Sequence, residues 1–599
     1  MNITLKKVFI ILFLICISSF CFALQPRVEF DKGELFINGV LAVKFRSSDG
    51  QMNPEQRAQQ AALMLIELSG EYLTPESISY KKISDTQYAI VCRNSSIMSV
   101  IHSDALNLNS TVEGLCKVWI KNIRDALSVQ PLYMDVSKSI IPYGENRTFK
   151  LKGSFTDVPT FQVENPDILD VNYNSQTKSI LISGKNLGTS NVKISANGFF
   201  FDLLVEVKKY AAQIPNSIKL QITGNPTSSS IIRSYIKLEA MRNVNLESGA
   251  SVVVQDVVWQ DKALYVNQKS SATVKITAQG STYISITKNM TVNIENVNIK
   301  KDIPKTLLYS NHPETMEKFQ DLFTGHTEVG EATRLLYHHL NATGRSATLT
   351  IEIINPNDTP VIIRSTKACA KPMLDTIAIG LVAAKNFMSQ DEQNISVFET
   401  VPAKSKICVL SDDLDNKISS SGIMQFAQQN GAENCIVRVR LSPKGTAGIK
   451  LNESQAYTGT GAFDFSEYIF LNPQKIFNET FVCGKNWVFI SMGKEHLQTE
   501  KGVKLYGNYG VDYEMNLLLE NPMEKSQKVK IAFDPTAGST AAYFTVNGSP
   551  VTIHHIKPPN EYILSAITLA PGETKKVKIK SVPVSGSNYP VKIVVGLEG

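Results

Sequence analysis

Apolar positions along the chain repeat mostly with the two-residue period of β-strands, and helical spacing is confined to a few segments. Short apolar runs bounded by Gly, Pro, Asn and Asp recur about every eight to twelve residues in segment 135–210 and through much of segment 305–599. The pattern predicts a mainly β, multidomain chain. It combines tandem β-sandwich-like modules with small α+β domains in the N-terminal half.

Helices are predicted where capping signals precede apolar residues at helical spacing. The first begins at Asn53, with Pro54 at the first helical position, and ends at Gly70. The second begins with Ser110 and Glu113 as a capping box. Further helices are predicted over residues 231–241, 313–323 and 375–388.

Strands are predicted over residues 88–92 and 97–101. Asn38-Gly39 stands between the apolar runs 35–37 and 40–45, which predicts a hairpin with a two-residue turn.

Changes in this periodicity divide the chain into segments. We predict a signal peptide (1–23), a small α+β domain (24–134), a β-sandwich (135–210), a second small α+β domain (211–304), a β-rich domain with helical insertions (305–450) and a β-sandwich (451–599).

The first 23 residues have the composition of a secretory signal peptide. Lys6 and Lys7 precede an apolar run over residues 8–17, and small residues and the step Cys21-Phe22-Ala23 follow. The run is short for a membrane span, and the longest dense apolar run after it covers only residues 377–384. The sequence therefore predicts an exported protein that is periplasmic, cell-surface or secreted, with no transmembrane anchor after cleavage.

Charge excludes one class of partner. The net charge of +6 falls to +4 without Lys6 and Lys7, and no cluster of basic residues stands out. We therefore predict no nucleic-acid binding.

Six of the eight cysteines lie after the signal peptide, and none forms a CxxC pair. In an exported chain they are candidates for disulfides, with Cys92 pairing Cys116 and the others pairing among themselves. Burial as small hydrophobic side chains is an equally good interpretation. The residues concerned are Cys92, Cys116, Cys369, Cys408, Cys435 and Cys483.

Two segments resemble known families. The strings PYGE (142–145), VENPDILDV (163–171) and ISGKNLGTSNV (182–192) resemble the N-terminal domain of pilus-formation secretins and bacterial Ig-like surface repeats. The resemblance implies an envelope assembly or scaffold module over residues 135–210.

The C-terminal half resembles a secreted family that is known mainly from cyanobacteria and labelled as a domain of unknown function. The resemblance implies export and a β-rich architecture, and it supplies no activity. It is carried by SNHPE (310–314), LLYHH (335–339), IINP (353–356), GNYGVDY (507–513), LEN (519–521) and LAPGE (569–573).

Candidate metal ligands are His338 and His339, with His312 nearby in sequence, because imidazole binds zinc and copper. Their surroundings are strand-like, however, and adjacent strand residues point to opposite faces. These histidines are therefore weak candidates, and we predict no metal site.

Tyr509 and Tyr513 share parity on a predicted strand, which makes them a possible ligand face. Cross-strand aromatic packing is the alternative interpretation.

Catalytic signals are missing from the sequence. No GxSxG motif occurs, and the eight histidines have no catalytic context. We predict no catalytic residues and no cofactor, and whether the chain is an enzyme stays open.

The sequence favours an exported, non-catalytic envelope or surface protein. Its β-rich modules would bind partners or act as scaffold, in pilus- or secretion-related assembly or in adhesion. The alternative is a carbohydrate-binding or carbohydrate-active protein that acts through the C-terminal β domains. The expected partners are envelope proteins or surface glycans. A shallow aromatic face would favour glycan binding, and a pocket with two nearby carboxylates would favour an enzyme.

Overall fold

Strands dominate the computed structural model, which describes residues 26–69, 73–130, 132–153, 155, 157–451, 453–457, 459 and 462–598. The mainly β, multidomain fold class is confirmed. The chain divides into two compact units, Met1–Tyr210 with Ser281–Ile284, and Ala211–Gly280 with Ser285–Gly599.

The first unit contains an α+β domain followed by a β-sandwich. Its helices are α1 (Pro54–Glu67), α2 (His102–Leu106) and α3 (Val112–Leu127), with a 3₁₀ turn at Pro75–Ser77. Its strands are β1 (Val28–Asp31), β2 (Glu34–Ile37), β3 (Val40–Lys44), β4 (Ile78–Ser84), β5 (Gln87–Cys92), β6 (Ser95–Ile101), β7 (Lys138–Pro142), β8 (Asn146–Lys150), β9 (Thr160–Val163), β10 (Leu169–Asn174), β11 (Ser179–Gly184), β12 (Gly188–Ala196) and β13 (Phe199–Lys208).

The predicted hairpin joins β2 to β3. Asn38 and Gly39 have φ values of 51° and 76°, as a two-residue type I′ turn requires. The Asn38 side chain is buried and donates from Nδ2 to the carbonyl oxygens of Ala126 (3.1 Å) and Val129 (3.0 Å). The turn residue thus also fixes the end of α3 against the hairpin.

Helix α1 begins as the sequence predicts. Asn53 Oδ1 accepts from the Gln56 amide at 2.9 Å, and Gln56 Oε1 accepts from the Asn53 amide at 3.0 Å, which completes a capping box. The predicted end at Gly70 lies outside the described residues.

The predicted cap of α3 is wrong by one residue. Thr111 Oγ1, not Ser110, accepts from the Gly114 amide at 3.0 Å. The Ser110 amide donates to the Ala105 carbonyl, so Ser110 closes the turn after α2 instead of opening α3.

The sandwich of the first unit has sheets of order β10-β11-β8 and β7-β13-β12-β9. Alternate residues of its strands point inward, and Ile182, Ile194 and Val205 are among the fully buried ones.

The second unit contains helices α4 (Ser229–Arg242) and α5 (Thr376–Glu392) and a 3₁₀ turn at Tyr506–Asn508. Its strands are β14 (Ala212–Gln213), β15 (Ser217–Thr223), β16 (Asn245–Leu246), β17 (Ser251–Val258), β18 (Lys269–Gln279), β19 (Ile286–Asn296), β20 (Pro304–Ser310), β21 (Thr315–Met316), β22 (Gln320–His326), β23 (Ala332–Asn341), β24 (Ala347–Asn355), β25 (Val361–Cys369), β26 (Ser396–Val401), β27 (Ser405–Leu414), β28 (Ser419–Gln428), β29 (Ile436–Pro443), β30 (Ser454–Ala456), β31 (Ile469–Leu471), β32 (Gln474–Val482), β33 (Val488–Met492), β34 (Asp512–Glu520), β35 (Gln527–Pro535), β36 (Thr540–Val546), β37 (Ser549–Ile556), β38 (Tyr562–Leu569), β39 (Thr574–Ser581) and β40 (Val591–Leu597).

An 11-stranded sheet of order β17-β18-β19-β15-β26-β25-β28-β23-β20-β31, with β21 paired to β23, runs through this unit. It packs against a five-stranded sheet of order β22-β29-β24-β27-β30, and the two sheets enclose an apolar core. β15 pairs with β26, and this pairing joins β17, β18, β19 and β15 to the other strands of the same sheet.

The C-terminal sandwich has sheets of order β32-β34-β39-β36-β37 and β33-β40-β35-β38. Its core is continuous with buried residues of α5, including Leu381, Ala384 and Phe387, and with Leu336 and Ile423 of the 11-stranded sheet. Helix α5 therefore lies between two sandwiches and packs on both sides.

The close approach of α5 to the C-terminal sandwich depends on Gly380. A Cβ atom at this position would lie 2.0 Å from the Ser585 carbonyl oxygen. The helix begins where the sequence predicts, because Asp375 Oδ1 accepts from the amides of Ile377 and Ala378, each at 2.9 Å.

The predicted helix over residues 313–323 is wrong. Thr315 and Met316 form β21 and pair with β23, and β22 pairs with β29. Pairing with strands on both sandwich sheets overrides the helical spacing of this segment.

Candidate functional site

His338 and His339 are buried neighbours on β23, and they face opposite sides of its sheet. His339 Nδ1 donates to the Pro313 carbonyl at 3.0 Å, and its Nε2 is 2.9 Å from Ser310 Oγ. Burial lowers the pKa of His339 to about 3. A neutral ring that accepts at Nε2 and donates at Nδ1 accounts for both contacts.

His338 lies on the side of the sheet that faces α5 and the C-terminal sandwich. Neither ring nitrogen has a hydrogen-bond partner among the described residues, and Glu314 Oε1 is 3.7 Å from Nε2. Burial lowers the pKa of His338 to about 4. A Cβ atom on Gly586 would lie 3.2 Å from Nε2, so the C-terminal sandwich contacts this ring closely.

The histidine candidates do not come together as ligands. His312 packs its ring against Tyr468, with centroids 4.8 Å apart, instead of joining the other two. Within the described parts of the chain, no group of three His, Cys, Asp or Glu side chains could hold a metal ion.

Among the described residues, Cys92 and Cys116 are not bonded to each other, and Cys369, Cys408, Cys435 and Cys483 form no disulfides with one another. Cys92, Cys116, Cys408, Cys435 and Cys483 are buried, and Cys369 is half-buried. Burial raises the pKa of Cys369 to about 11 and that of Cys408 to about 12. These are the buried hydrophobic positions that the alternative interpretation describes.

Tyr509 and Tyr513 pack in the interior instead of forming an open ligand face. Tyr513 is 1% exposed, and its hydroxyl accepts from the Gly493 amide at 2.9 Å and from Asn508 Nδ2 at 2.8 Å. The Tyr509 hydroxyl donates to the Ser587 carbonyl at 2.6 Å. Both side chains thus stabilise loops around the C-terminal sandwich.

A charged cleft of about 230 Å³ lies between the end of α5 and strands β34 and β39. Arg334, fully buried on β23, reaches both carboxylate oxygens of Asp512 at 2.9 Å. Its guanidinium carbon lies 4.6 Å from the centroid of the Phe387 ring. Asp391 at the cleft forms an ion pair with Lys301, and burial raises its pKa. These carboxylates hold neighbouring elements together through paired charges.

A second buried charge cluster attaches α4 to the sheet. Glu399 of β26 forms ion pairs with Arg242 of α4 and with Lys367 of β25. Burial alone would raise the pKa of Glu399, but the two cations lower it to about 2. The cluster is structural, because each of these groups has a charged partner.

The candidate surface that the sequence does not reveal is on the C-terminal sandwich. Trp487 is 54% exposed and Phe489 is 62% exposed, and their ring centroids are 6.4 Å apart with an interplanar angle of 17°. Phe489 is in register with Val594, Val594 with Ala532, and Ala532 with Ile563. We call these five residues the Trp487 face.

The Trp487 face lies on the outer side of the sheet β33-β40-β35-β38. Residues that alternate with it, such as Val488, Ile490 and Ile593, point into the core. The outer side exposes Trp487 and Phe489 at the edge strand β33, with half-buried Val594 beside them, while Ala532 is fully covered and separates them from exposed Ile563 on β38.

A family model described as a domain of unknown function (DUF8459) matches residues 36–130. The match covers much of the first α+β domain and lies outside the two segments whose sequences resemble known families. No curated protein matches the chain.

Solved structures match parts of the chain at low identity. Domains 5–6 of the S-layer protein SbsC are 12% identical, with 28% of this chain and 99% of that chain covered and a TM-score of 0.13. The human desmocollin-1 ectodomain is 7% identical, with 31% and 44% covered and a TM-score of 0.12. The titin Ig tandem A164–A165 is 7% identical, with 28% and 97% covered and a TM-score of 0.12. Superpositions at these scores carry no inference about function.

Proposed function

We propose that the chain is an exported, non-catalytic envelope or surface protein whose β-rich modules bind partners or form a scaffold. The observation that carries this proposal is the double-sided packing of α5, which joins two sandwiches through one core. Such a shared core resists relative motion of the two sandwiches, and it holds their outer surfaces at fixed positions.

Export is part of the proposal and rests on the sequence of the first 23 residues, which lie outside the described residues. In the part of the chain that the structure describes, no helix is long and apolar enough to cross a membrane. The finer assignments, to pilus- or secretion-related assembly or to adhesion, rest on the resemblance of residues 135–210. The division into five domains after the signal peptide stays a prediction, and the 11-stranded sheet pairs strands across its boundaries at 304/305 and 450/451.

Envelope association tests this function. Purified chain 24–599 is mixed with an envelope fraction, sedimented and quantified in pellet and supernatant. We expect most of the chain in the pellet, with a matched sample that lacks envelope as the control for aggregation. A chain that stays in the supernatant at every envelope concentration would argue against a binding or scaffold role at the envelope.

Carbohydrate binding through the C-terminal β domains is the second candidate function. The Trp487 face favours it, because exposed aromatic rings on a shallow sheet face suit sugar rings better than a catalytic reaction. Asp391 and Asp512 of the charged cleft are the nearby carboxylates that an enzyme would use, but each is held in an ion pair, with Lys301 and with Arg334.

A further inference from the structure

We propose that the Trp487 face binds a neutral polysaccharide, with pyranose rings stacked on Trp487 and Phe489. This inference rests on the second candidate function and gives it a site and a ligand class.

The orientation of the Trp487 ring supports a stacking platform. Its Cζ3, Cε3 and Cη2 atoms would lie 2.0, 2.2 and 2.6 Å from a Cβ atom on Gly596. An edge-on approach would leave only one ring atom so close, so the indole lies with its face against β40. Its other face points to solvent, since the side chain is 54% exposed.

Phe489 continues the same surface. Its ring is inclined by only 17° to the indole, and the two residues are separated by one position of the edge strand. The two nearly parallel rings, with centroids 6.4 Å apart, form an exposed aromatic pair at the edge of the sheet. Because Trp487 already packs against Gly596, ligand binding should cost little additional side-chain entropy.

The accessible part of the Trp487 face is compact. Phe489 is in register with half-buried Val594, and the next residue across the sheet, Ala532, is fully covered. Trp487, Phe489 and Val594 would therefore contact a short stretch of a polymer.

Charge on the flanking positions favours an uncharged ligand. Lys530 pairs with Glu561 at 2.7 Å, and Lys528 pairs with Glu598 at 2.8 Å. These two ion pairs add no net charge beside the Trp487 face, and exposed Lys592 is the nearby cation on the same side of β40. The same side chains offer donors and acceptors to sugar hydroxyl groups.

The area of the surface disfavours a protein partner. An aromatic side chain buries about 150–250 Å² in full, and both rings are already partly covered. The exposed area of the Trp487 face is well below the about 800 Å² that each partner buries in a stable protein interface.

Affinity electrophoresis of the chain 24–599 tests the proposal. The native gels contain hydroxyethyl cellulose, dextran or laminarin as neutral probes, and alginate as the anionic probe. We expect at least one neutral probe to retard the wild-type chain and alginate not to do so. Trp487→Ala and Phe489→Ala should each weaken the retardation about tenfold or more, and the double variant should abolish it.

Two further variants test whether retardation depends on the position of the two rings or on any exposed aromatic side chain. Gly596→Val keeps both rings but displaces the indole, so it should weaken retardation while circular dichroism stays unchanged. Tyr506→Ala removes an aromatic side chain that is 69% exposed on the same sandwich but outside the Trp487 face, and it should bind like wild type.

The proposal is overturned if no neutral probe retards the wild-type chain, or if the double variant is retarded as strongly as wild type. Retardation by alginate alone would show a charge-driven contact and also overturn it. So would a wild-type dimer in size-exclusion chromatography that Trp487→Ala dissociates. Envelope sedimentation that persists in the double variant would leave the scaffold function standing while this inference fails.

Discussion

At the scale of single residues, the main surprise is how many ionisable side chains are used for packing. His338 and His339 are fully buried and neutral, and Arg334 is fully buried next to a carboxylate. A buried charge is tolerated only with a partner, and a buried imidazole is most easily tolerated when it is neutral. These residues are therefore expected to control stability and its pH dependence.

His338 should make the protein sensitive to acid. Its pKa is about 4 in the folded chain and about 6.5 when unfolded, so the unfolded state binds the extra proton between these values. The contribution to stability is complete above pH 6.5 and is lost as the pH falls towards 4. As the pH falls from 7 to 5, the wild-type chain should therefore lose about 2 kcal/mol more of its free energy of unfolding than His338→Gln loses.

Urea denaturation at pH 7, 6 and 5 measures this difference. His554→Gln, which replaces an exposed histidine of β37, is the matched control and should change little relative to wild type. Parallel pH curves for wild type and His338→Gln would contradict the assignment.

Asp512 should be essential because it is the carboxylate partner of buried Arg334. Asp512→Asn keeps the shape of the side chain but leaves the guanidinium charge without its counter-ion, and we expect a loss of about 3 kcal/mol in the free energy of unfolding. Glu514→Gln is the control on the same strand, because its partner Lys578 is exposed and the pair contributes below about 1 kcal/mol. Equal effects in chemical denaturation would show that Arg334 does not depend on this ion pair.

At the scale of elements, the sequence predicts the helix caps and turns whose interactions lie within a few residues. The caps at Asn53 and Asp375 and the turn at Asn38-Gly39 satisfy backbone groups within a few residues, so the sequence contains the whole interaction. The helix predicted over residues 313–323 failed because its partners, β23 and β29, are distant in sequence.

The Trp487 face was missed for a related reason. Apolar residues occupy both faces of β33, so alternation alone does not tell which face is buried. Tyr509 and Tyr513 were plausible ligand residues on spacing alone, but their hydroxyl groups have partners in the interior. By contrast, the dense apolar run 377–384 was a usable signal, because a helix that is apolar on all sides is usually buried on all sides.

Gly380 provides a test of the contact between α5 and the C-terminal sandwich. On helix propensity alone, Gly380→Ala would stabilise the helix by about 1 kcal/mol. Here the new methyl group would overlap the Ser585 carbonyl oxygen, and we expect a net loss of about 1–3 kcal/mol. Thermal or chemical denaturation measures the sign, with Ser389→Ala at an exposed position of the same helix as control. A stabilised Gly380→Ala variant would show that the helix and the sandwich are less closely packed.

At the scale of the whole molecule, most cysteines that are candidates for disulfides lie buried in the β domains as thiols. The sandwich core encloses Cys435 among apolar neighbours, whereas Cys408 lies near the buried charges of Arg242 and Glu352, and burial raises the thiol pKa of both to about 12. Such thiols react slowly because the thiolate is the nucleophile.

Thiol titration with Ellman's reagent distinguishes this arrangement from disulfides. The unreduced chain 24–599 should give at least five thiols in denaturant, from Cys116, Cys369, Cys408, Cys435 and Cys483, and should react slowly when native. Prior reduction with dithiothreitol is the control and should raise the count in denaturant by one at most. Four or fewer thiols before reduction would restore the disulfide interpretation.

The pairing of β15 with β26 has a consequence for the nascent chain. Thr223 and Ser396, whose hydroxyl oxygens are 2.7 Å apart, are separated by 173 positions in the sequence. At about 5–20 residues per second, the ribosome needs about 10–35 s to deliver the partner of a strand that it has already made. During this interval the edge of β15 is open to pairing with other chains. A chaperone that holds the chain extended over that time should therefore raise the yield of folded protein, and its absence should direct the chain to aggregates.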